Sequence, residues 1–182
     1  MRGLIPTVEN RSAKAAALLL CFLLTSSPSV LAASKNGAPA PQSKVTQLDE
    51  ATLNQMGKAF THAVANKDIA TLGSGLSDDI DITIEIMGLE RHLTKAEYLA
   101  NFQRSWAAIK DYEFKPTSGE MEVSLDSPTR ATFRFSAIET MLNGGIIIKG
   151  LSEQENVVEL RNGRPQMVKA TVHVSVYASV KL

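Results

Sequence analysis

Residues 129–178 read TRATFRFSAIETMLNGGIIIKGLSEQENVVELRNGRPQMVKATVHVSVYA and decide the fold. Three long segments rich in β-branched and aromatic residues are separated by Asn143-Gly144 and Asn162-Gly163. Asn-Gly is the strongest short signal for a β-hairpin, because both central residues of the favoured turn take a positive φ. The pattern therefore predicts a meander of antiparallel strands over residues 129–142, 145–160 and 165–178.

Upstream of this meander, the spacing of apolar residues predicts three helices. The first begins at Thr46, which stands three residues before Asp49 in a capping-box arrangement. A short second helix is expected over residues 68–72. Thr94 with Glu97 repeats the capping box and begins a third helix that runs to about residue 109. In the first helix, His62 lies nearly opposite the apolar face and is expected in solvent.

Residues 79–86 (DIDITIEI) alternate strictly and predict a half-buried strand with four isoleucines on one face. The carboxylates of Asp79, Asp81 and Glu85 share the other face. Oxygen ligands of this kind suit calcium, but no glycine turn gathers them, so a solvated strand face is the preferred interpretation and no metal is predicted. A further strand is expected over residues 112–125.

The element order α-α-β-α-β-β-β-β, with several local stretches, resembles the nuclear transport factor 2-like (SnoaL-like, cystatin-like α+β) superfamily. The matching stretches are FTHAVANKD at 60–68, LSDDI at 76–80, the helix from Thr94 and ELRNGRP at 159–165. The resemblance implies an α+β fold in which three N-terminal helices pack on a strongly curved, mostly antiparallel β-sheet, a cone-shaped α+β barrel.

The same resemblance has implications for function. Members include isomerases, polyketide cyclases and dehydratases as well as non-catalytic binding modules, and many pair through the sheet, so a homodimer is expected. The enzymes hold a pocket between sheet and helices. No position of this chain reproduces their catalytic signatures, so no active-site residue is carried over, and fold alone does not assign an activity.

Two-residue turns at both Asn-Gly sites predict a register in which Glu139 pairs with Ile148 and Ser152 with His173. One face of the sheet then mixes a carboxyl group, an imidazole, hydroxyls and aromatic rings, as a small-molecule pocket does. Trp106 on the third helix is expected mainly in the core, with ligand stacking as the alternative. A single β-bulge would exchange the two faces. The pocket candidates are Glu139, His173, Tyr177, Phe135, Ser152 and Trp106.

Glu139 carries the main chemical hypothesis. Among Met141, Ile146 and Ile148 it would be desolvated and partly protonated near neutral pH, which suits a general acid or base acting beside a carbonyl. The alternative places Glu139 at an exposed strand edge, paired with a lysine. His173 is either its acid–base partner or a structural histidine.

The N-terminus predicts export. Arg2, Arg11 and Lys14 precede the apolar run AAALLLCFLL at 15–24, and small residues at 30–33 suit cleavage after Ala32. The run is shorter than the roughly 20 residues that cross a bilayer, so a signal peptide (1–32) is favoured over a stable membrane anchor. Residues 33–45 read as a flexible linker and 46–182 as the domain, located in the periplasm or outside the cell.

Composition limits the kinds of partner and cofactor that the sequence predicts. Removing residues 1–32 leaves 16 of the 19 Lys and Arg and 18 of the 19 Asp and Glu, a formal net charge of −2, and removes the one cysteine. Such a balance offers no electrostatic reason to bind nucleic acid. No motif for a phosphate-binding loop, metal or haem is present, so no cofactor is predicted.

Two functions remain. The first is an exported binding or interaction module for a small apolar ligand or for another exported protein. The second is a cofactor-independent enzyme, an isomerase, cyclase or dehydratase, that uses Glu139 as its general acid or base.

Overall fold

The computed structural model describes residues 46–109, 111–117, 121–143 and 146–181. The signal peptide predicted at 1–32 and the linker predicted at 33–45 lie outside these residues. The described elements, in chain order, are α1 (Glu50–Ala65), α2 (Ile69–Ser74), β1 (Leu76–Ile86), β2 (Leu89–Leu93), α3 (Lys95–Ala108), β3 (Asp111–Pro116), β4 (Glu122–Ser127), β5 (Arg130–Asn143), β6 (Ile146–Arg161) and β7 (Arg164–Lys181).

Helix α1 begins one turn later than Thr46 predicts. The Asp49 carboxylate accepts a hydrogen bond from the Thr52 backbone N–H at 2.7 Å, so Asp49 is the N-cap and Thr46 is not. A carboxylate at this position satisfies one of the orphan N–H groups of the first turn and also suits the helix dipole. The buried face includes Leu53 and Phe60, and His62 is exposed as predicted.

Helix α3 confirms the second predicted capping box. The Glu97 backbone N–H donates to Thr94 Oγ1 at 3.3 Å, and the Thr94 backbone N–H donates to Glu97 Oε2 at 2.9 Å. The reciprocal bonds satisfy two donors that the helix start leaves free. They hold the first turn of the helix that carries Tyr98 and Trp106, both buried.

The sheet has the strand order β2-β1-β7-β6-β5-β3, and β4 pairs with β5 on the same edge as β3. Its ladders are antiparallel except for the parallel pair of β1 and β7. Three helices pack on this curved sheet, so the predicted α+β class and its architecture are confirmed.

Two strand assignments differ from the prediction. Strand β2 follows a tight turn in which Met87 has φ 53° and Gly88 has φ 79°. A methionine in a left-handed conformation is uncommon, which is why the sequence gives no hairpin signal there. The single strand expected at 112–125 is two strands, β3 and β4. Strand β3 ends at Pro116, and Gly119 stands in the sequence before β4; both residue types interrupt strands.

The hydrophobic core lies between the helices and the inner face of the sheet. Leu53 of α1 and Phe133 of β5 are fully buried there. Phe135 stacks on Phe133 with ring centroids 6.1 Å apart and meets the edges of Phe60 and Phe114. Aromatic contacts of this kind contribute about 0.5–1.5 kcal/mol each beyond area burial.

The β5–β6 register is offset by two residues from the prediction. Asn143 pairs with Ile146, and Glu139 therefore pairs with Gly150 instead of Ile148. A two-residue offset preserves the faces, because side chains alternate with a period of two. Glu139 and Ser152 consequently remain on the same face of the sheet.

The β6–β7 hairpin confirms the second Asn-Gly turn but not the register beyond it. Asn162 has φ 54° and Gly163 has φ 74°, and Arg161 pairs with Arg164. The register then shifts by one residue at Val157/Val158 and again at Lys149/Gly150. Between these two irregularities, Ser152 pairs with Val174 instead of His173, so the faces of β7 are exchanged there.

Candidate functional site

A cavity of about 160 Å³ lies between α3 and the inner face of the curved sheet. Most of its wall is apolar, and a benzene-sized molecule fits an apolar cavity of similar volume. The aromatic wall comes from α3 and β3, and the aliphatic wall from four strands. The aromatic residues are Tyr98, Phe102, Trp106 and Tyr112, and the aliphatic residues are Ile84, Ile86, Ile109, Met141, Ile148, Val172, Val174 and Val176.

Helical periodicity explains why the aromatic residues of α3 lie on one side of the cavity. Tyr98, Phe102 and Trp106 follow one another at intervals of four residues, so they lie on one face of α3. Tyr98 and Phe102 are in edge contact at 4.9 Å, and Phe102 and Trp106 are tilted at 4.8 Å. The rings pack against each other and present a continuous apolar surface to the cavity.

Among the residues that the structure describes, Glu139 of β5 is the one acidic residue in the cavity wall, and no Lys, Arg or His lines it. The Tyr112 hydroxyl donates a hydrogen bond to Glu139 Oε2 at 3.1 Å. Burial raises the pKa of Glu139 above its ordinary value, and the hydrogen bonds from Tyr112 and Ser152 oppose that rise. The part of Glu139 that remains accessible faces the cavity.

The two tyrosines near Glu139 are neutral donors. Burial and the nearby carboxyl both raise the pKa of Tyr112 and of Tyr98 well above the ordinary tyrosine value. Both hydroxyls therefore keep their protons at physiological pH. Glu139 differs from them, because burial raises its pKa from the ordinary carboxyl value toward neutrality.

Strand β6 brings a row of buried polar side chains to the inner face: Ser152, Gln154 and Asn156. Gln154 Nε2 donates to Ser152 Oγ at 3.1 Å, while Gln154 Oε1 is buried without a hydrogen-bond partner in the described part of the chain. Both side-chain amide atoms of Asn156 are likewise unpartnered there. Unsatisfied buried groups are costly, so such positions are typical of ligand or water sites.

The structure brings four of the six predicted pocket residues to the inner face. Glu139 and Trp106 line the cavity, and Phe135 and Ser152 are buried beside it. Ser152 touches the site through the hydrogen bond that it accepts from Gln154. Phe135 packs in the aromatic core.

The predicted inward placement of His173 and Tyr177 is wrong. His173 pairs with Glu153, is exposed, and its Nδ1 lies 2.9 Å from Glu85 Oε2. Tyr177 is 56% exposed and is the extra residue at the Lys149/Gly150 irregularity. The bulges turn the alternate valines of β7 inward in their place, and this exchange of faces cannot be read from the turn alone.

Tyr112 is the residue of the site that sequence reasoning missed. It stands 27 positions before Glu139, and the pairing of β3 with β5 brings the two together, with Tyr112 opposite Met141. No local pattern signals a contact of this range. The aromatic positions on α3, by contrast, follow from helical spacing.

The acidic face of β1 carries an ion pair. Asp79 forms an ion pair with Arg161, which lowers the pKa of that carboxyl. Across the described ranges, no group of three or more His, Cys, Asp or Glu side chains is arranged to hold a metal ion. None of the described helices combines the length and the apolar character that crossing a membrane requires.

No family model and no curated protein matches this sequence. Solved structures do match. One is a nuclear transport factor 2-like protein of unknown function from Pseudomonas putida, with 16% sequence identity and a TM-score of 0.54. The alignment covers 68% of this chain and 84% of the Pseudomonas chain. A ketosteroid isomerase-like protein from Erwinia carotovora has 16% identity, 68% and 94% coverage, and a TM-score of 0.54.

A third match is a hexachlorocyclohexane dehydrochlorinase from Novosphingobium barchaimii, with 15% sequence identity and a TM-score of 0.57. The alignment covers 72% of this chain and 88% of the dehydrochlorinase chain. At these identities the likeness establishes the fold alone. The chain has the nuclear transport factor 2-like fold, and proteins of that fold include both enzymes and proteins of unknown function.

Proposed function

We propose that this protein binds a small, largely apolar molecule in the cavity between α3 and the sheet. The observation that supports this function is the cavity itself: aromatic and aliphatic walls enclose space that side chains do not fill, and one buried carboxyl group faces it. Apolar walls with a few convergent polar groups are the usual design of a ligand site. A purely structural interaction module would instead be expected to fill its core.

Trp106 provides the test, because it is the chain's one tryptophan and it lines the cavity. Apolar compounds of benzene to bicyclic size should change its fluorescence in a saturable way. Val174→Phe places a ring in the cavity and should abolish the change. Ser175→Phe, the exposed neighbour on the same strand, is the matched control and should leave binding intact. Equal binding by both variants would contradict the proposal.

A second candidate function is cofactor-independent acid–base catalysis. It is favoured by the Tyr112–Glu139 hydrogen bond inside the cavity and by the raised pKa of Glu139. It is also supported by the neighbours of the same fold that are named as a ketosteroid isomerase-like protein and a dehydrochlorinase. In this function Glu139 would remove a proton from the carbon beside a carbonyl and return it elsewhere, with Tyr112 steadying the carboxylate.

Deuterium exchange distinguishes catalysis from binding. Incubation of the protein with cyclohexanone in D₂O should accelerate exchange of the protons beside the carbonyl, followed by NMR. Glu139→Gln should return the rate to that of buffer while keeping ligand-induced changes in Trp106 fluorescence. Exchange that is equal for both proteins would eliminate Glu139 as the catalytic base and leave binding as the function.

Export and self-association complete the proposal. Export is supported by the sequence of residues 1–32, and mass spectrometry of the secreted chain should find Ala33 as its first residue.

Pairing through the outer face of the sheet is supported by the exposure of Ile138 and Tyr177. Light scattering should find a dimer, and Ile138→Asp should shift it to a monomer. A monomeric wild type would favour another exported protein as the partner of this face.

A further inference from the structure

Two polar side chains of the cavity wall, Tyr112 and Gln154, already use a donor within the described part of the chain. The Tyr112 hydroxyl is used by Glu139, and Gln154 Nε2 is used by Ser152. Gln154 Oε1 is an acceptor in a side chain only 8% exposed, belongs to a residue of the cavity wall and has no partner in the described chain. A ligand that supplies N–H or O–H groups would satisfy it.

The two acceptors, on Gln154 and Glu139, lie in the cavity wall on the paired strands β6 and β5. Gln154 Nε2 donates to the Ser152 hydroxyl at 3.1 Å, and the same hydroxyl lowers the pKa of Glu139. One ligand group placed beside Ser152 can therefore meet both. Ser152 Oγ accepts from Gln154, so its single proton stays available for donation.

The charge of the wall favours a cation. Among the described residues, no Lys, Arg or His lines the cavity to compensate Glu139, and a buried carboxylate without an opposite charge beside it is strongly unfavourable. The rest of the wall carries aromatic rings, Tyr98, Phe102 and Trp106, whose π-faces attract cations. A positively charged ligand would compensate the carboxyl and contact these rings.

We propose that the ligand is an amine bound as its ammonium ion, with N–H groups donated to Glu139 and Gln154 and an apolar body against the α3 rings. This inference rests on the proposed function, namely that the cavity binds a small molecule. It adds the chemical class of the ligand and makes Gln154 a specificity-determining residue. A neutral ketone is the competing class, because it would accept a proton from Glu139 and leave Gln154 Oε1 unpartnered.

Three probes of similar size test the class: benzylamine, toluene and acetophenone, each titrated against Trp106 fluorescence. A hydrogen bond to a charged group is worth about 1.5–3 kcal/mol, so benzylamine should bind roughly ten- to a hundredfold more tightly than toluene or acetophenone. Glu139→Gln should remove this preference and leave the affinity for toluene unchanged. Gln154→Met should reduce the preference severalfold. Glu153→Gln, the exposed neighbour on β6, is the matched control and should change nothing.

Each outcome is informative. Toluene or acetophenone binding as tightly as benzylamine would overturn the amine assignment and leave the binding function standing. A preference for benzylamine that survives Glu139→Gln would overturn it too, because the ammonium would then lie elsewhere. Failure of all three probes to bind would overturn both the amine assignment and the proposed function.

Discussion

The Tyr112 hydroxyl donates a hydrogen bond to Glu139 Oε2 at 3.1 Å, and this contact connects β3 to β5 inside the cavity. Burial raises the pKa of Glu139, whereas the Tyr112 bond favours its ionised form. Burial and the Tyr112 hydrogen bond therefore shift the pKa of the carboxyl group in opposite directions. Such a balance makes its protonation sensitive to a ligand that enters the cavity.

The raised pKa of Glu139 predicts a pH dependence of stability. Relative to the ordinary value of 4.5, the folded protein holds the Glu139 proton more tightly than the unfolded chain does. The contribution of this group to the free energy of unfolding is therefore complete below about pH 4.5 and is lost as the pH rises through the folded-state pKa. As the pH rises through this range, the free energy of unfolding of Glu139→Gln should increase relative to that of wild type, by at most about 1.4 kcal/mol per pH unit.

Urea unfolding of both proteins from about pH 4 to about pH 8 measures this difference. Glu113→Gln on β3, an exposed position, is the control, and its difference from wild type should not follow the same curve. A stability difference for Glu139→Gln that stays constant with pH would refute desolvation of the carboxyl.

Replacing Tyr112 with Phe should raise the pKa of Glu139 further, because it removes a hydrogen bond that stabilises the carboxylate. Carbon-13 NMR of labelled glutamate side chains measures the titration directly. Tyr177→Phe removes a hydroxyl that is exposed to solvent and should leave the titration unchanged. A pKa that falls in Tyr112→Phe would mean that the hydroxyl does not donate to Glu139.

Truncation of Phe133 should be among the most destabilising single changes. The side chain is fully buried on β5 and stacks with Phe135, so Phe133→Ala leaves a cavity and should cost about 3–5 kcal/mol. Leu125→Ala on the adjacent strand β4 is the control, since Leu125 is 52% exposed. Its cost should stay within about 0.5 kcal/mol. Chemical denaturation compares the two, and similar losses would contradict the described core.

Loss of the α3 capping box should destabilise the protein and loosen the aromatic wall. Thr94→Ala removes the acceptor of the Glu97 N–H and should cost about 1 kcal/mol. Thr61→Ala, inside α1, is the control, because alanine is the better helix former there. Thermal unfolding and Trp106 fluorescence monitor both effects. An unchanged midpoint for Thr94→Ala would show that the cap contributes little.

The local elements of the fold could be predicted from sequence because their causes are local. The capping box of Thr94 with Glu97 and the Asn162-Gly163 turn both follow from residues within one turn of chain. The boundary at Asp49 was missed because two acceptors, Thr46 and Asp49, stand one turn apart, and choosing between them requires the geometry of the helix start. The β1–β2 turn has Met87 before Gly88, whereas asparagine at that position would have predicted a hairpin turn.

The site was only partly predictable because it depends on contacts between distant strands. Periodicity on α3 places Trp106, and alternation on β5 places Glu139 with Phe135. Two one-residue shifts in the β6–β7 ladder remove His173 and Tyr177 from that face. The positions of bulges depend on how the whole sheet curves, which no short window of sequence records.

Sequence alone determined the α+β class, the helical stripe on α3 and the two-faced strands, because hydrophobic periodicity and turn chemistry act over a few residues. Tertiary structure alone decided that Tyr112 meets Glu139 and that the valines of β7 rather than His173 complete the cavity. It also decided that Gln154 Oε1 has no partner among the residues the structure describes. These features arise where strands far apart in the chain are brought together, and strand register and sheet curvature set them jointly.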